Sequence, residues 1–476
     1  MYYAFNTESS VIPSASQIAG SSALLDPQAM LEQLLAQGCR LASQAWVDNH
    51  WGLILWKVAG MVSLDPKPES NPGTRRWCWR HIREQFLYRY EKELEGGARP
   101  PLRLIATQDA PASLPMVLCV SNISWSSGGV DHDGLVMDQI PELELTDGWY
   151  KLRAEVDGAL TRAIKKGKIR VGRKLAVQNA RLSSDHKDPT EVLEAYDRCH
   201  LVLAGNSCHL APWHAKLGFS SSPSFATLGS LTSDGGVVTI VELAVVKAHP
   251  VAFIEFVEGS DGKTRRIGPR NEKEEMKARD QWARRREDLA SKLRDDIDRK
   301  ISTLEGYAHR LDAKAGSAQG KTEDEDPPPH IDTYYDDLEE GGNLGTLLCR
   351  LSKSEMRWLS ETIRKNCATL RENAREETEK ELAFECPPRK VRNFRVVVAE
   401  DARTRERKAY RRAQITVWDV LDLGFGEGTK AGAFLPDQRF LVTNLIPTQQ
   451  SAWMANEPGA EVYLTTRRDS KWTKMN

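Results

Sequence analysis

The stretch Leu143–Val177, LELTDGWYKLRAEVDGALTRAIKKGKIRVGRKLAV, constrains the fold of this chain more than any other. Leu143 and Leu145 alternate with polar residues on one side of the turn signal Thr146-Asp147-Gly148; Trp149, Leu152, Ala154 and Val156 follow on the other. Alternation across such a turn predicts a β-hairpin with one buried face. A short amphipathic segment, Ala159 to Lys166, closes on Gly167. Ile169, Val171, Leu175 and Val177 then predict a further strand, in which Gly172 permits a bend or bulge. Strands that coil this tightly, with glycine at the corners, suit a small closed barrel better than an open sheet.

A chain of 476 residues has room for about three or four domains. Lysines and arginines nearly cancel aspartates and glutamates, to a net charge of -1, so whole-chain charge names no partner. Eight cysteines without a CxxC pair argue against a disulfide framework or zinc ribbon and for reduced thiols in a cytosolic or nuclear protein. No stretch approaches the roughly 18 apolar residues of a membrane span, so no membrane partner is expected. The start MYYAFNTESS does not resemble a signal peptide.

In chain order, Ser9 to Ser22 reads as loop, and Asp26-Pro27 reads as a helix start. A second helix, Trp46 to Val62, is apolar nearly all round and belongs in the middle of a helical domain. A third, His81 to Leu94, stops at Gly96-Gly97. The apolar strand Pro115 to Val120 opens a first barrel, which Leu201 to Ala204 and Val237 to Val246 are expected to complete. Its commonest small host is the five-stranded oligonucleotide/oligosaccharide-binding (OB) fold. A strand from Val251 to Val257 then begins a second barrel. From Asn271 to Ala315 a thin apolar stripe (Met276, Leu289, Leu293, Ile297, Ile301, Leu304, Leu311) runs through a charged surface. A return helix starts at the capping pair Ser352 and Glu355 and ends before Pro387. Two such helices predict an antiparallel rod reaching roughly 60 Å. Its tip, Gly316 to Pro329, has the composition of a disordered segment, and Asp336, Asp337, Glu339 and Glu340 beyond it disfavour phosphate. Strands at Val396 to Val398, Ala413 to Trp418, Arg439 to Ile446 and Ala460 to Thr465 complete the second barrel.

The signals for an enzyme fail. Asp261-Gly262-Lys263-Thr264 lacks the glycine a phosphate loop needs, since Val257 stands there. Cys199, His200, Cys208, His209 and His214 crowd together in sequence, but neighbours on a strand point to opposite faces, so no metal site is expected. No serine elbow or HExxH motif occurs, and no cofactor is implied.

Several long motifs occur in order: WVDNHWGLILWKVAGM at Trp46 to Met61, FLYRYEKEL at Phe86 to Leu94, MVLCVSNI at Met116 to Ile123, LELTDGWY at Leu143 to Tyr150, KLGF at Lys216 to Phe219, SDGG at Ser233 to Gly236 and RNEKEE at Arg270 to Glu275. Together they resemble the C-terminal DNA-binding region of the breast cancer type 2 susceptibility protein family, the recombination mediators. The resemblance implies an α+β multidomain chain: a helical domain over residues 1–112, a first OB fold over 113–248, and a second over 249–270 and 387–476. A helical tower over 271–386 interrupts the second. It also implies a nuclear, non-enzymatic scaffold that binds single-stranded DNA and helps load a RecA-like recombinase, the latter through segments not in this chain. The alternative is a protein-docking scaffold whose barrels bind an acidic partner rather than DNA. The family's acidic partner is the small protein deleted in split-hand/split-foot syndrome. Trp46, Trp51 and Trp56, with Arg76, Arg80 and Arg83 nearby, are the residues expected to receive it.

Local charge selects the expected DNA site. Between Arg389 and Arg412 ten residues are basic and three acidic, against near-neutrality for the whole chain. OB folds combine a basic groove with aromatic platforms for the bases. Lys408, Arg411, Arg412, Trp418, Arg439, Tyr463 and Arg467 are the candidates.

Overall fold

Helix starts follow from local chemistry. In the computed structural model the Asp26 carboxylate accepts from the Ala29 amide at 3.0 Å, with Pro27 at the first helical position, and the Ser43 hydroxyl accepts from the Trp46 amide at 3.3 Å. Each cap satisfies an amide that the first turn leaves unpaired. The structure describes residues 3–6, 24–126, 139–185, 188–259, 263–316, 328, 330–403, 411–425, 430–453 and 460–475. The loop expected at Ser9 to Ser22, Asp261 and Gly262, and nearly all of the tip from Gly316 to Pro329 lie outside them. The chain divides into two compact units, Met1–His249 with Arg395–Asn476, and Pro250–Phe394.

The first unit opens with the short strands β1 (Phe5–Asn6) and β2 (Leu24–Leu25), then α1 (Pro27–Ala36), α2 (Gln44–Leu64) and α3 (Trp79–Arg89). Beyond α3 a wider π-helical turn, Tyr90–Glu95, leads to Gly96, where a Cβ would meet the Glu91 carbonyl at 2.8 Å. Met30, Leu34, Trp46, Val47, Trp51, Ile54, Val58, Ile82 and Phe86 form the core of these helices. The short α4 (Pro101–Ala106) packs into the next layer. That layer is a sheet of β3 (Met116–Trp125), β4 (Pro141–Thr146), β5 (Lys151–Val156), β6 (Lys174–Val177), β7 (Arg181–Ser184), β8 (Cys199–Leu203), β9 (Cys208–Leu210) and β10 (Gly218–Phe219), with α5 (Gly158–Lys165) and α6 (Ala195–Arg198) in its connections. β3 runs antiparallel to β4 and β6, β4 antiparallel to β5, and β5 parallel to β8. The hairpin expected around Thr146-Asp147-Gly148 is the β4–β5 pair, with Leu143, Leu145, Leu152 and Ala154 fully buried.

The strand β11 (Val238–Ala248) ends this half of the unit. In the second unit β12 (Ala252–Glu258) and β13 (Thr264–Arg270) form an antiparallel hairpin, followed by α7 (Glu272–Ala315), α8 (His330–Glu339), α9 (Leu344–Arg350) and α10 (Lys353–Glu385). β14 (Lys390–Asp401) spans the boundary: residues 390–394 pair with β12 in the second unit, and residues 397–401 pair with β11 in the first. α7 and α10 are antiparallel, in a register fixed by Arg286–Glu379, Glu305–Arg371 at 2.8 Å, Asp312–Arg364, and Arg357 donating to the Gly316 carbonyl at 2.7 Å. Forty-four residues give α7 a length of about 66 Å. The expected narrow seam holds only part of the way. Toward the far end Ile301, Leu304, Ala308 and Leu311 meet Ile331, Tyr335 and Leu338 of α8, Leu344 and Leu347 of α9, and Met356, Leu359 and Ile363 of α10, giving a small globular core.

The remaining strands return to the first unit: β15 (Arg411–Trp418), β16 (Arg439–Pro447), β17 (Ala460–Thr465) and β18 (Trp472–Met475). β11 runs antiparallel to β16 and to β14, β15 parallel to β17, and β16 antiparallel to β18. One expectation is corrected here. The run Val237 to Val246 does not complete the first sheet; as β11 it is the central partner of the second. Val251 to Val257, expected to begin the second barrel, is β12, which pairs with β13 and with residues 390–394 of β14 in that same second sheet. Both runs are apolar enough to be buried strands anywhere, so periodicity could not assign their partners.

Candidate nucleic-acid interface

The second sheet's pleat decides which of its residues face outward. In β15, Arg411, Ala413, Ile415 and Val417 are buried, so Arg412, Gln414, Thr416 and Trp418 share the opposite face. β17 runs beside it with Gln414 opposite Tyr463 and Thr416 opposite Thr465, which adds Glu461, Tyr463 and Thr465 to that face. Trp418 is half-buried; its indole donates to Thr465 Oγ1 at 3.1 Å and its amide to Thr466 Oγ1 at 2.9 Å. Tyr463 donates to Glu461 Oε2 at 3.0 Å, and Gln414 donates to the same oxygen at 2.7 Å. That bond to a carboxylate holds the Tyr463 phenol above its usual pKa. Four residues along the strand separate the two rings, roughly 13 Å. The face is a ribbon of two aromatic rings with amide and hydroxyl groups between them and Arg412 exposed at one end.

The other candidates separate. Arg411 is turned inward: it is 8% exposed and donates to the Leu231 carbonyl at 2.8 Å, with burial pulling its pKa down. Arg439 is exposed, but it sits seven residues from Ile446, which pairs with Thr465, and so lies roughly 23 Å from the rings along β16. Arg467 is exposed and paired with Asp469 at 3.1 Å. Lys408 lies outside the described residues. Sequence reasoning missed Gln414, Thr416 and Thr465. The apolar alternation Ala413, Ile415, Val417 was the signal that puts them outside and Arg411 inside.

Arg411 belongs to a different device. Asp401 accepts from the Leu228 amide through both oxygens at 3.0 Å, and Arg403 lies 3.5 Å over the Phe225 ring while bonding Glu242 at 2.7 Å. These side chains grip residues 225–231 against the second sheet. The first sheet grips the segment just beyond. Asn206, 1% exposed, donates to the carbonyls of Thr232 at 3.0 Å and Gly236 at 2.9 Å and accepts from the Thr232 amide at 2.9 Å. Arg162 holds Asp234 with two bonds, at 2.6 and 2.7 Å. A Cβ on Gly235 would sit 2.5 Å from Thr232 Oγ1, so the SDGG motif is a close-packed strap between the two sheets.

A polar face of the first sheet is already occupied by its own charges. On β4 and β5, Glu144 bonds Ser121 at 2.6 Å, Tyr196 at 2.9 Å and Lys151 at 3.1 Å, and Arg153 reaches the carbonyls of Tyr196 at 2.8 Å and Asp197 at 2.9 Å. Burial alone would raise the Glu144 carboxyl, but the hydrogen bond from Ser121 and the Lys151 charge bring it below the usual range. Cys199 and His200 alternate on β8, as do Cys208 and His209 on β9.

The expected partner surface also resolves residue by residue. Trp46 and Trp51 are core residues, 2% and 4% exposed, so they present no ring to a partner. Trp46 donates to Glu93 at 3.1 Å, and Trp51 stacks on Phe86 with ring centroids 6.2 Å apart. Trp56 is exposed on α2. Arg76 bonds Asp65 at 3.2 Å, Arg80 pairs with Glu84 at 3.6 Å, and Arg83 is half-buried. Beneath them Glu93 joins the helices to the first sheet: it accepts from Tyr150 at 2.5 Å and from Arg103 at 2.9 Å. His50 lies 3.7 Å from the same carboxylate, yet burial, reinforced by the Arg89 charge, depresses its pKa to about 3. With Nδ1 2.8 Å from the Trp46 carbonyl, the neutral ring carries its proton there, and the contact to Glu93 is no ion pair.

Residues 100–221, which run from α4 to β10, match the family described as BRCA2, oligonucleotide/oligosaccharide-binding, domain 1. The β3–β4–β5 meander, α5 between β5 and β6, and the parallel β5–β8 pair therefore define an OB-domain protein of α+β architecture. Two curated relatives of Arabidopsis thaliana, the BREAST CANCER SUSCEPTIBILITY 2 homologs A and B, are each 32% identical over 243 residues, covering 49% of this chain and 21% of theirs. The chain is thus similar to BRCA2 homologues over about half its length and carries a BRCA2-type OB domain. It spans about a fifth of the length of the curated relatives it matches. No helix among the described residues is long and apolar enough to cross a membrane.

Proposed function

We propose that the chain is a non-enzymatic scaffold of recombinational repair that holds single-stranded DNA on the outer face of its second sheet and helps present it to a RecA-like recombinase in the nucleus. In this reading residues 1–112 are the helical domain, and the two sheets of the first unit are two OB folds. The α7–α10 rod is then a tower inserted in the second. The strand pairings support the second OB assignment: β11, β14, β15, β16 and β17 repeat the first sheet's scheme, antiparallel neighbours with one parallel pair, β15–β17. One observation carries the DNA assignment. The β15–β17 face offers Trp418, Tyr463, Gln414, Thr416 and Arg412, whereas the polar face of β4 and β5 in the first sheet is closed by its own ion pairs. Rings spaced along a strand with hydrogen-bonding groups between them suit stacked bases and a sugar–phosphate chain. The small acidic partner would contact Trp56 and the arginines about it.

Trp418→Ala tests the assignment. A half-buried ring used for stacking should cost about 1–3 kcal/mol of oligonucleotide affinity, measured by fluorescence anisotropy, with the thermal unfolding midpoint little changed. Unchanged affinity would remove the second sheet from consideration. Loss of fold before loss of affinity would make Trp418 a structural residue.

A further inference from the structure

The second unit is electrically lopsided. Its base, residues 250–286 and 387–394, carries thirteen lysines and arginines against seven aspartates and glutamates, a net charge of +6. Its shaft and tip, residues 287–386, carry fifteen against twenty-four, a net charge of -9. Three of the base's seven carboxylates are paired within it. Glu255 and Glu275 are held by Arg389 at 2.7 and 2.8 Å and by Arg270 at 2.7 and 3.4 Å, and Glu258 is held by Lys390 at 2.5 Å. Lys263 just before β13, Arg266 on it, and Lys273, Lys277, Arg284 and Arg285 on the first turns of α7 are left exposed.

Aromatic groups are interleaved with this charge. β12 lies between β13 and residues 390–394, so Phe256 has Arg266 on one side and Lys390 on the other. The Arg266 guanidinium sits 5.9 Å over the Phe256 ring, and that of Arg286 sits 5.6 Å over Trp282. Val257, Ile267, Met276 and Phe384 are the exposed large apolar side chains among the described residues of this unit; the first three belong to its base, and Phe384 lies three residues before the base resumes at Pro387. A cation-rich surface with aromatic and apolar ground between the charges is the composition that recognises a polyanion bearing flat hydrophobic groups. Arginine, nine of the base's thirteen cations, both bonds phosphate oxygens and stacks on flat rings, and a chain of phosphates and bases offers both contacts.

We propose that the base of the second unit is a binding surface for single-stranded nucleic acid, engaging its phosphates through Lys263, Arg266, Lys277 and Arg284, while the acidic shaft and tip repel it. This rests on the reading of the chain as a single-strand binder, and adds a second contact surface to it.

The test uses the full chain with a fluorescent oligothymidylate, titrated across a range of salt. Changing Lys263, Arg266, Lys277 and Arg284 together to glutamate should weaken binding about 10-fold or more, and make the log–log salt slope shallower by about 2 to 3, as four phosphate contacts are lost. All four side chains are exposed, and an unchanged circular-dichroism melt confirms an intact fold. Unchanged affinity and salt slope overturn the inference, and if Trp418→Ala still weakens binding, the reading of the second sheet survives without it. An unmodified chain that binds no oligonucleotide overturns both. If the quadruple variant loses binding to polyglutamate but keeps the oligonucleotide, the surface belongs to an acidic peptide and the inference is wrong.

Discussion

Glu93 is the residue on which the helices and the first sheet converge. Its side chain is fully buried, and its charge is met by Arg103 and by donors from Trp46 and Tyr150. Replacing it with alanine leaves Arg103 with only the longer contact to Glu191 at 4.0 Å and two buried donors unpaired. A loss of about 3–5 kcal/mol in chemical denaturation is expected. His50, beside it, makes the same junction sensitive to acid. Its folded pKa of about 3 lies below the ordinary 6.5, so the unfolded chain takes up the proton first. His50 thus costs nothing above about pH 6.5, and stability drains away as pH falls from there toward 3, at about 1.4 kcal/mol per unit. His50→Gln should flatten the upper part of that decline, between about pH 6 and 5, where carboxylates still titrate little. A decline of unaltered slope in that variant would show that another group carries it.

At the scale of elements, the rod is unevenly built. At its far end Leu359, Ile363 and Leu311 are fully buried among four helices, while nearer the base the seam at Leu293, Ile297 and Leu370 is flanked by Asp296, Lys300, Glu377 and Glu381 around a cavity of about 230 Å³. Leu359→Ala should therefore cost about 2–5 kcal/mol. Leu293→Ala, at a half-open site, should cost well under half of that; urea titration followed by far-UV circular dichroism compares them. The helices themselves were legible from their apolar steps and from the Ser352–Glu355 capping box, which forms as read. The globular far end was not, because α8 and α9 offer only short apolar runs whose partners come from residues distant in sequence. Strand partners were equally hidden: β11 and β12 are apolar enough for either sheet, and only pairing assigns them. At the interface the opposite holds. Ala413, Ile415 and Val417 declare the inner face of β15, so parity alone places Arg411 inside and Trp418 outside. Charge counting without parity put both in one site.

For the molecule as a whole, the division at residues 250 and 394 makes the rod separable. Arg286 and Glu379 bond each other across the helix pair, so replacing residues 287–378 with a short glycine-serine linker joins points already about 10 Å apart. The ionic cluster of Glu255, Arg270, Glu275 and Arg389 stays in place below the cut. The excised segment holds fourteen basic and twenty-one acidic residues, a net charge of -7. Its removal takes away negative potential and no part of the β15–β17 face or the basic base. Affinity for single-stranded oligonucleotide should stay level or rise, most visibly at low salt where screening is weak. A fall in affinity, in a variant whose first unit still melts as before, would mean that the shaft or tip contributes directly to binding. In that event the charge argument for the base would fail with it.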